Sequence, residues 1–118
     1  MNGTLTANGF DSGSYGCGAG GSIWIKTGRL AGTGMISARG GNQGTTTAYY
    51  GGGGRVAIYY SSTTFTGLPP EGSHLNKELS GYRVTVRGGT GNAFVDGPED
   101  GSAVIQRLLT RGGLFIIR

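Results

Sequence analysis

The chain has 118 residues, of which 27 are glycine, and its formal net charge is +4. Glycine is therefore about three times as frequent as its usual share of about 7%. The glycines follow no G-X-Y period, which excludes collagen, and a composition of 36% hydrophobic and 14% charged residues excludes a flexible linker or a typical disordered tail.

The sequence contains neither a recognisable targeting segment nor a pair of cysteines. No stretch reaches the about 18 apolar residues that a membrane span needs. The first residues, MNGTLTANGF, lack the charged and apolar regions of a signal peptide, so we expect either a cytosolic chain or a part of a longer exported precursor. Cys17 is the single cysteine and has no internal partner for a disulfide.

Two short sequence patterns alternate along the chain. Pattern A occurs as GTLTANG at 3–9, GMISARG at 34–40 and YRVTVRG at 82–88. Pattern B occurs as GSIWIKT at 21–27, GRVAIYY at 54–60 and GLFIIR at 113–118. Apolar residues recur at every second position and many are β-branched, which predicts six strands, each with one buried face.

The spacing of these segments predicts how the strands stack. The step from Leu5 to Ile36 is 31 residues, and the step from Ile23 to Val56 is 33. A near-constant step is typical of repeats that bury a shared core, so we predict an all-β, glycine-rich β-solenoid, or β-helix-like stack, of about three two-strand coils. The chain would be a single repeat domain over 1–118, with repeats at about 3–28, 34–60 and 81–118.

Glycine closes most of these segments, where a chain must turn or pass close to a neighbour. The four consecutive glycines at 51–54 exceed what one turn requires. We therefore expect a close backbone contact at this run.

A first insertion, at 61–80, separates the second and third repeats. Pro69 and Pro70 precede Leu75 and Leu79, which lie four residues apart. Proline at the start of a segment and apolar residues at this spacing are compatible with one or two helical turns.

A second insertion, at 92–111, lies inside the third repeat. Pro98, Glu99 and Asp100 precede an apolar pattern, and Arg111 follows it before a glycine. Acidic residues at the start and a basic residue at the end are typical of a helix, so we predict a short helical insertion here. A hairpin from 103 to 118 is the alternative.

One stretch of the chain resembles a known class of proteins. The residues from Gly16 to Tyr60, with GCGAGGSIWIKTGRLAGTGMISARGG at their start and GGGGRVAIYY at their end, resemble glycine-rich β-repeat regions of large bacterial secreted or surface proteins. The resemblance covers about the first 60 residues, and the two insertions depart from it. It implies a right-handed β-solenoid in an extracellular or cell-surface setting, and it brings no catalytic residues with it.

Outward positions of the strands form the candidate binding surface, because stacking aligns them into columns. Pattern A places Arg39 and Arg87 at equivalent outward positions, where they could contact an acidic polymer. Pattern B places Trp24 and Ile116 outward, and an exposed apolar column usually marks an interface. The alternative is that the loop at 41–53 or an insertion covers this column.

Aromatic residues of pattern B suggest a ligand of a different kind. Trp24, Tyr59 and Tyr60 offer ring faces on which a carbohydrate could stack. The Arg-Gly-Gly elements that begin at Arg39 and Arg87 are also found in nucleic-acid-binding proteins, but their shared repeat position is explained by an outward arginine before a turn. Nucleic acid is therefore disfavoured as a partner.

Other motifs favour ordinary structural interpretations. GCGAGG at 16–21 matches the dinucleotide fingerprint, but a strand and not a helix is predicted to follow it. Asp96, Glu99 and Asp100 do not have the spacing of a calcium loop. Cys17 and His74 show no spacing that indicates a nucleophile pair. We therefore predict no enzymatic activity, no cofactor and no metal site.

Two functions follow from these patterns. The first is a non-catalytic structural or adhesive extracellular module, which self-associates, or packs against neighbouring repeats of a longer protein, through its strand edges. The alternative is a carbohydrate- or polyanion-binding module that uses Arg39, Arg87 and the aromatic cluster of Trp24, Tyr59 and Tyr60. Neither function needs a membrane span.

Overall fold

A computed structural model describes residues 2–11, 17–42, 51–75, 79, 81–89 and 100–108. These residues form the strands β1 (Thr4–Thr6), β2 (Ser22–Leu30), β3 (Met35–Ser37), β4 (Arg55–Thr63), β5 (Gly72–Leu75), β6 (Val84–Thr85) and β7 (Ser102–Arg107). The described part of the chain has almost no helix, which confirms the predicted all-β class.

Pattern A forms a three-stranded sheet in the order β1-β3-β6, with both pairs parallel. The register aligns Leu5 with Ile36 and Ile36 with Val84, so the strands stack at the step that the repeats predict. Ile36 and Val84 are fully buried, since every second side chain of each strand points into the core.

Pattern B contributes to a four-stranded sheet in the order β2-β4-β7-β5. The parallel pairing of β2 with β4 aligns Ile23 with Val56 and Ile25 with Ile58, as the second step predicts. Val56 and Ile58 are fully buried, and each such aliphatic side chain stabilises the fold by about 1.5 to 3 kcal/mol.

The third parallel strand of this sheet is β7, at 102–107, and not the GLFIIR segment at 113–118. Ala103 and Ile105 pair with Val56 and Ile58 and are fully buried. The helix predicted across this segment is therefore wrong. Local signals indicate a helix, but an extended segment here supplies the hydrogen bonds that the second edge of β4 needs and buries two apolar side chains. The segment at 113–118 lies outside the described residues.

The first insertion also contains a strand where helical turns were predicted. β5 pairs antiparallel with β7 and places His74 opposite Ala103. Gly67 and Gly72 have φ values of 84° and 131°, in the region that glycine adopts without strain, and they allow the chain to turn back toward β7. Leu75 thus lies in a strand and not in the predicted helical turns, and 76–78 and 80 lie outside the described residues.

The strands form two separate sheets, and the larger one ends in an antiparallel strand. The structure therefore does not show the uniform solenoid of three two-strand coils that the repeats predict. The physical reason is the first insertion, because its strand β5 pairs antiparallel with β7 and gives the larger sheet a fourth strand that the smaller sheet lacks.

Three equivalent backbone hydrogen bonds connect the two sheets. The amides of Gly21, Gly54 and Gly101 donate to the carbonyl oxygens of Ala7, Ala38 and Val86, with distances of 2.7, 2.7 and 2.6 Å. Each bond links the end of a pattern A segment to the beginning of the next strand of the larger sheet. Gly101 therefore makes the same hydrogen bond before β7 that Gly21 and Gly54 make before β2 and β4. This equivalence supports β7 as the third strand of the series.

The glycine run at 51–54 lies where backbones approach too closely for a side chain. A Cβ atom on Gly54 would overlap the carbonyl oxygen of Gly21, and one on Gly53 would overlap that of Val86. The close backbone contact expected for this run is confirmed, and it explains why no larger residue is present.

Candidate functional site

The outward side of the larger sheet carries the residues best placed to contact a partner. Its side chains form three rows across β2, β4 and β7: Ser22, Arg55 and Ser102; Trp24, Ala57 and Val104; Lys26, Tyr59 and Gln106. The alternate residues of the same strands point into the core. We call these nine residues the outer face.

An aromatic pair lies on the outer face, where the edge strand β2 meets β4. Trp24 is 69% exposed, and its ring centroid lies 6.5 Å from that of Tyr59 at an interplanar angle of 68°. This is the edge-to-face arrangement that aromatic rings prefer. The small residue Ala57 lies opposite Trp24 and leaves room for the diagonal contact with Tyr59. The structure therefore brings two of the three predicted aromatic residues together.

Tyr60, the third aromatic residue of the predicted cluster, points the other way. It is only 6% exposed, because it follows Val56 and Ile58 at every second position of β4 and shares their inward direction. Burial raises the pKa of the Tyr60 phenol, the negative charge of Glu71 raises it further, and Arg107 opposes them. The alternation in the sequence already contained this signal.

Arg39 and Arg87 lie at the ends of the smaller sheet and not on the outer face. The guanidinium of Arg39 lies 3.2 Å from a carboxylate oxygen of Asp11 and donates to the carbonyl oxygen of Gly40 at 2.8 Å. The Asn42 amide donates to Asp11 at 2.7 Å. This bond first, and Arg39 second, lower the pKa of the Asp11 carboxyl. Arg39 therefore supports local structure, whereas the side chain of Arg87 is exposed.

Several predicted positions can be placed only in part. Ile116, Asp96 and Glu99 lie outside the described residues. Asp100 is described, and its carboxylate accepts a hydrogen bond from the Gly88 amide at 2.8 Å. Within the described part of the chain, no group of three His, Cys, Asp or Glu side chains is arranged to hold a metal ion.

The cysteine and the histidine contact the backbone of different segments. The Cys17 thiol donates to the carbonyl oxygen of Asn42 at 3.2 Å. The Nε2 atom of His74 lies 2.6 Å from the carbonyl oxygen of Pro70. Cys17 thus contacts backbone 25 residues further along the chain, whereas His74 contacts backbone four residues before it.

An open cleft, which no motif in the sequence predicts, adjoins the outer face where its strands begin. Three aligned segments, 20–22, 53–55 and 100–102, line a volume of about 500 Å³. The amides of Gly21, Gly54 and Gly101 already donate to other backbone groups. Polar side chains are therefore the groups that remain to contact a ligand. The signal in the sequence was the glycine directly before each strand, at Gly21, Gly54 and Gly101, which also fits a simple turn.

Arg55 is the largest polar side chain of the cleft. It is exposed, and its guanidinium has no hydrogen-bond or ion-pair partner among the described residues. The register places Arg55 between Ser22 and Ser102, about 4.8 Å from each neighbouring strand. An unpaired guanidinium between two hydroxyl groups is suited to an anionic group of a ligand.

No model of a protein family, no curated protein and no solved structure matches the chain. None of the helices in the described segments has the length and apolar character needed to cross a membrane. The outer face, the cleft and the strand edges are therefore the grounds for a functional proposal.

Proposed function

We propose that the chain is a non-catalytic structural or adhesive module that works outside the cell or at its surface and assembles through the free edges of β1 and β2. The observation that carries the proposal is the open first layer of both sheets. The extracellular setting is supported by the resemblance of residues 16–60 to repeat regions of bacterial surface proteins.

The first layer is less buried than the layers stacked on it. Leu5 is 40% exposed, although its register partner Ile36, and Val84 beyond it, are fully buried. Ile25 is half-buried, whereas its partner Ile58 is fully buried. Covering this apolar surface with a further strand layer would contribute favourable free energy.

Among the described residues, the backbone of β1 also has no partner on its outer side. The Ala7 amide donates to the carbonyl oxygen of Ser37, and the Gly3 carbonyl oxygen accepts from Met35, so the odd-numbered residues of this segment face β3. Alternate residues of a strand direct their backbone groups to opposite sides. The N–H and C=O groups of Thr6 therefore point away from the sheet, and such groups pair readily with a strand of another chain or repeat.

A measurement of molecular mass against protein concentration tests the proposal. Light scattering from micromolar to millimolar protein should show a mass that rises with concentration. Thr6→Pro removes an outward amide but no hydrogen bond of the sheet, since proline is tolerated on a free edge. We expect it to weaken association about tenfold.

Thr6→Val is the matched control, because it keeps the amide and favours the strand. It should associate like the wild-type chain. A wild-type chain that stays monomeric at millimolar concentration contradicts the proposal, and so does unchanged association of Thr6→Pro.

Glycan binding is a second candidate function, favoured by the exposed indole of Trp24 and the half-buried ring of Tyr59 beside it. An open indole face beside polar side chains suits a sugar ring, which has an apolar face and a polar rim. Trp24→Ala should abolish retention on a polysaccharide column and leave the mass of the protein unchanged. If Trp24→Ala lowers the mass instead, the aromatic pair belongs to the assembly surface.

A further inference from the structure

We propose that the outer face binds an acidic polysaccharide, with a sugar ring stacked on Trp24 and the carboxylate of that sugar or its neighbour paired with Arg55 in the cleft. The inference rests on the glycan-binding candidate and deepens it. It names the charged group of the ligand and the side chain that selects it.

Trp24 and Arg55 lie on the same face of the sheet and are close neighbours. The register pairs Trp24 with Ala57, two residues beyond Arg55 on β4. One strand spacing and two residues along the strand place the two Cα atoms about 8 Å apart. A sugar ring over the indole therefore has its substituents within reach of the long guanidinium side chain.

A carboxylate is the ligand group that best fits Arg55. The guanidinium presents its donors in a planar fork that matches a carboxylate with two parallel hydrogen bonds. No described residue uses this fork, and the hydroxyl groups of Ser22 and Ser102 flank it as further donors. Lys26, on the other side of Trp24, adds a second positive charge to the outer face.

The surroundings favour a sugar acid over a nucleic acid. Asp100 also lines the cleft, and only one of its carboxylate oxygens accepts the Gly88 amide. The other oxygen can accept a hydroxyl group of the sugar, a donor that a phosphodiester group lacks. Tight binding of nucleic acid usually needs several cations that each neutralise a phosphate, and the outer face provides Arg55 and Lys26.

The structure also separates this site from the arginines that the sequence indicates. Arg39 and Arg87 follow β3 and β6 of the smaller sheet, and Arg39 pairs with Asp11. Arg55 shares its face with the aromatic pair, so it can contact the same ligand. Arg87 is therefore the natural control for an effect of charge alone.

The test compares polygalacturonate with its methyl-esterified form, which has the same backbone without the negative charge. Trp24 is the single tryptophan of the chain, so its fluorescence reports contact at this site. Polygalacturonate should change the tryptophan emission until the site is saturated, and its affinity should be lower at high salt. The affinity for the ester should be about tenfold lower than for polygalacturonate.

Matched variants separate a specific site from a general charge effect. Arg55→Gln should lower the affinity for polygalacturonate about tenfold, and Arg87→Gln, with the same change in net charge, should leave it unchanged. Trp24→Ala, followed by calorimetry because it lacks the fluorophore, should bind neither polymer. Circular dichroism should be the same for all three variants, since the replaced side chains are exposed.

Each contrary result has a distinct meaning. Equal binding of the acid and the ester overturns the inference and leaves the glycan-binding candidate intact. Failure of both polymers to bind contradicts the inference and the candidate together. If Arg55→Gln and Arg87→Gln weaken binding equally, the inference is overturned in favour of charge alone. If a single-stranded DNA oligonucleotide binds more tightly than polygalacturonate, it is overturned in favour of a nucleic-acid partner.

Discussion

Close contact between backbones explains much of the glycine content at the scale of single residues. Gly32, Gly67, Gly72 and Gly81 are the described glycines with positive φ. Many others have ordinary backbone angles but lie against a carbonyl oxygen of the next layer, where a Cβ would overlap it. The requirement for glycine there comes from stacking and not from turning.

Gly54→Ala tests this requirement. The new methyl group would overlap the Gly21 carbonyl oxygen, and that backbone is held by the hydrogen bonds between the sheets. We expect the free energy of unfolding to fall by at least about 2 kcal/mol in urea titrations.

Gly28→Ala is the control, because a Cβ at Gly28 has no neighbouring atom within 4 Å. It should change the free energy of unfolding by less than about 0.5 kcal/mol. If the two substitutions lower the free energy of unfolding by similar amounts, the close backbone contact at Gly54 is not what requires glycine there.

At the scale of elements, β7 shows how tertiary pairing overrides local sequence signals. Acidic residues, Asp100 among them, precede the segment of Ala103 and Ile105, and such residues are typical of the first turn of a helix. In the structure Asp100 accepts the Gly88 amide instead, and the residues after it pair with β4. Neighbouring residues carry no sign of a pairing partner this distant in sequence, so the local sequence by itself favours the helix.

Two substitutions in β7 test its role as the third parallel strand. Ile105→Ala removes a fully buried side chain that pairs with Ile58, and we expect a loss of about 2 to 5 kcal/mol in the free energy of unfolding. Val104→Ala, on the outer face of the same strand, should cost less than about 1 kcal/mol. The reverse order of these losses in denaturant titrations would contradict the assignment.

At the scale of the whole molecule, the two ends of the strand stack differ. The first layer exposes Leu5 and the outer edge of β1. At the other end, β5 pairs with β7, and the Arg83 amide beside β6 donates to the carbonyl oxygen of Gly67. The larger sheet therefore ends in a short antiparallel strand at this end, and β1 of another chain would find no parallel strand edge to pair with on that sheet. Short edge strands also resist further pairing.

This difference between the ends predicts a closed assembly. Two chains that pair through the same first-layer edge form a symmetric dimer, which leaves no equivalent edge free. Light scattering at increasing protein concentration should therefore approach twice the mass of one chain and then level off. A mass that continues to increase, with fibres visible by electron microscopy, would show head-to-tail stacking instead.

The candidate site was predictable in part. The period of two in pattern B places Trp24 and Tyr59 on one face, and the same period places Tyr60 with the core residues. Arg55 was within reach of the same reasoning, since it lies two residues before Ala57 on β4. The cleft was not, because it forms only when three distant segments, each with a glycine directly before its strand, align across neighbouring strands.

By itself, the sequence determined the all-β class, the three pattern A strands, the first two pattern B strands and the steps that align them. Those features depend on alternation and repetition, which neighbouring residues carry. Only the tertiary structure decided that β7 is the third strand beside β2 and β4, that β5 covers its edge and that three distant segments form the cleft beside Arg55. Each of these depends on hydrogen bonds and burial between segments far apart in the chain, where the gain from pairing a free strand edge outweighs weak local preferences.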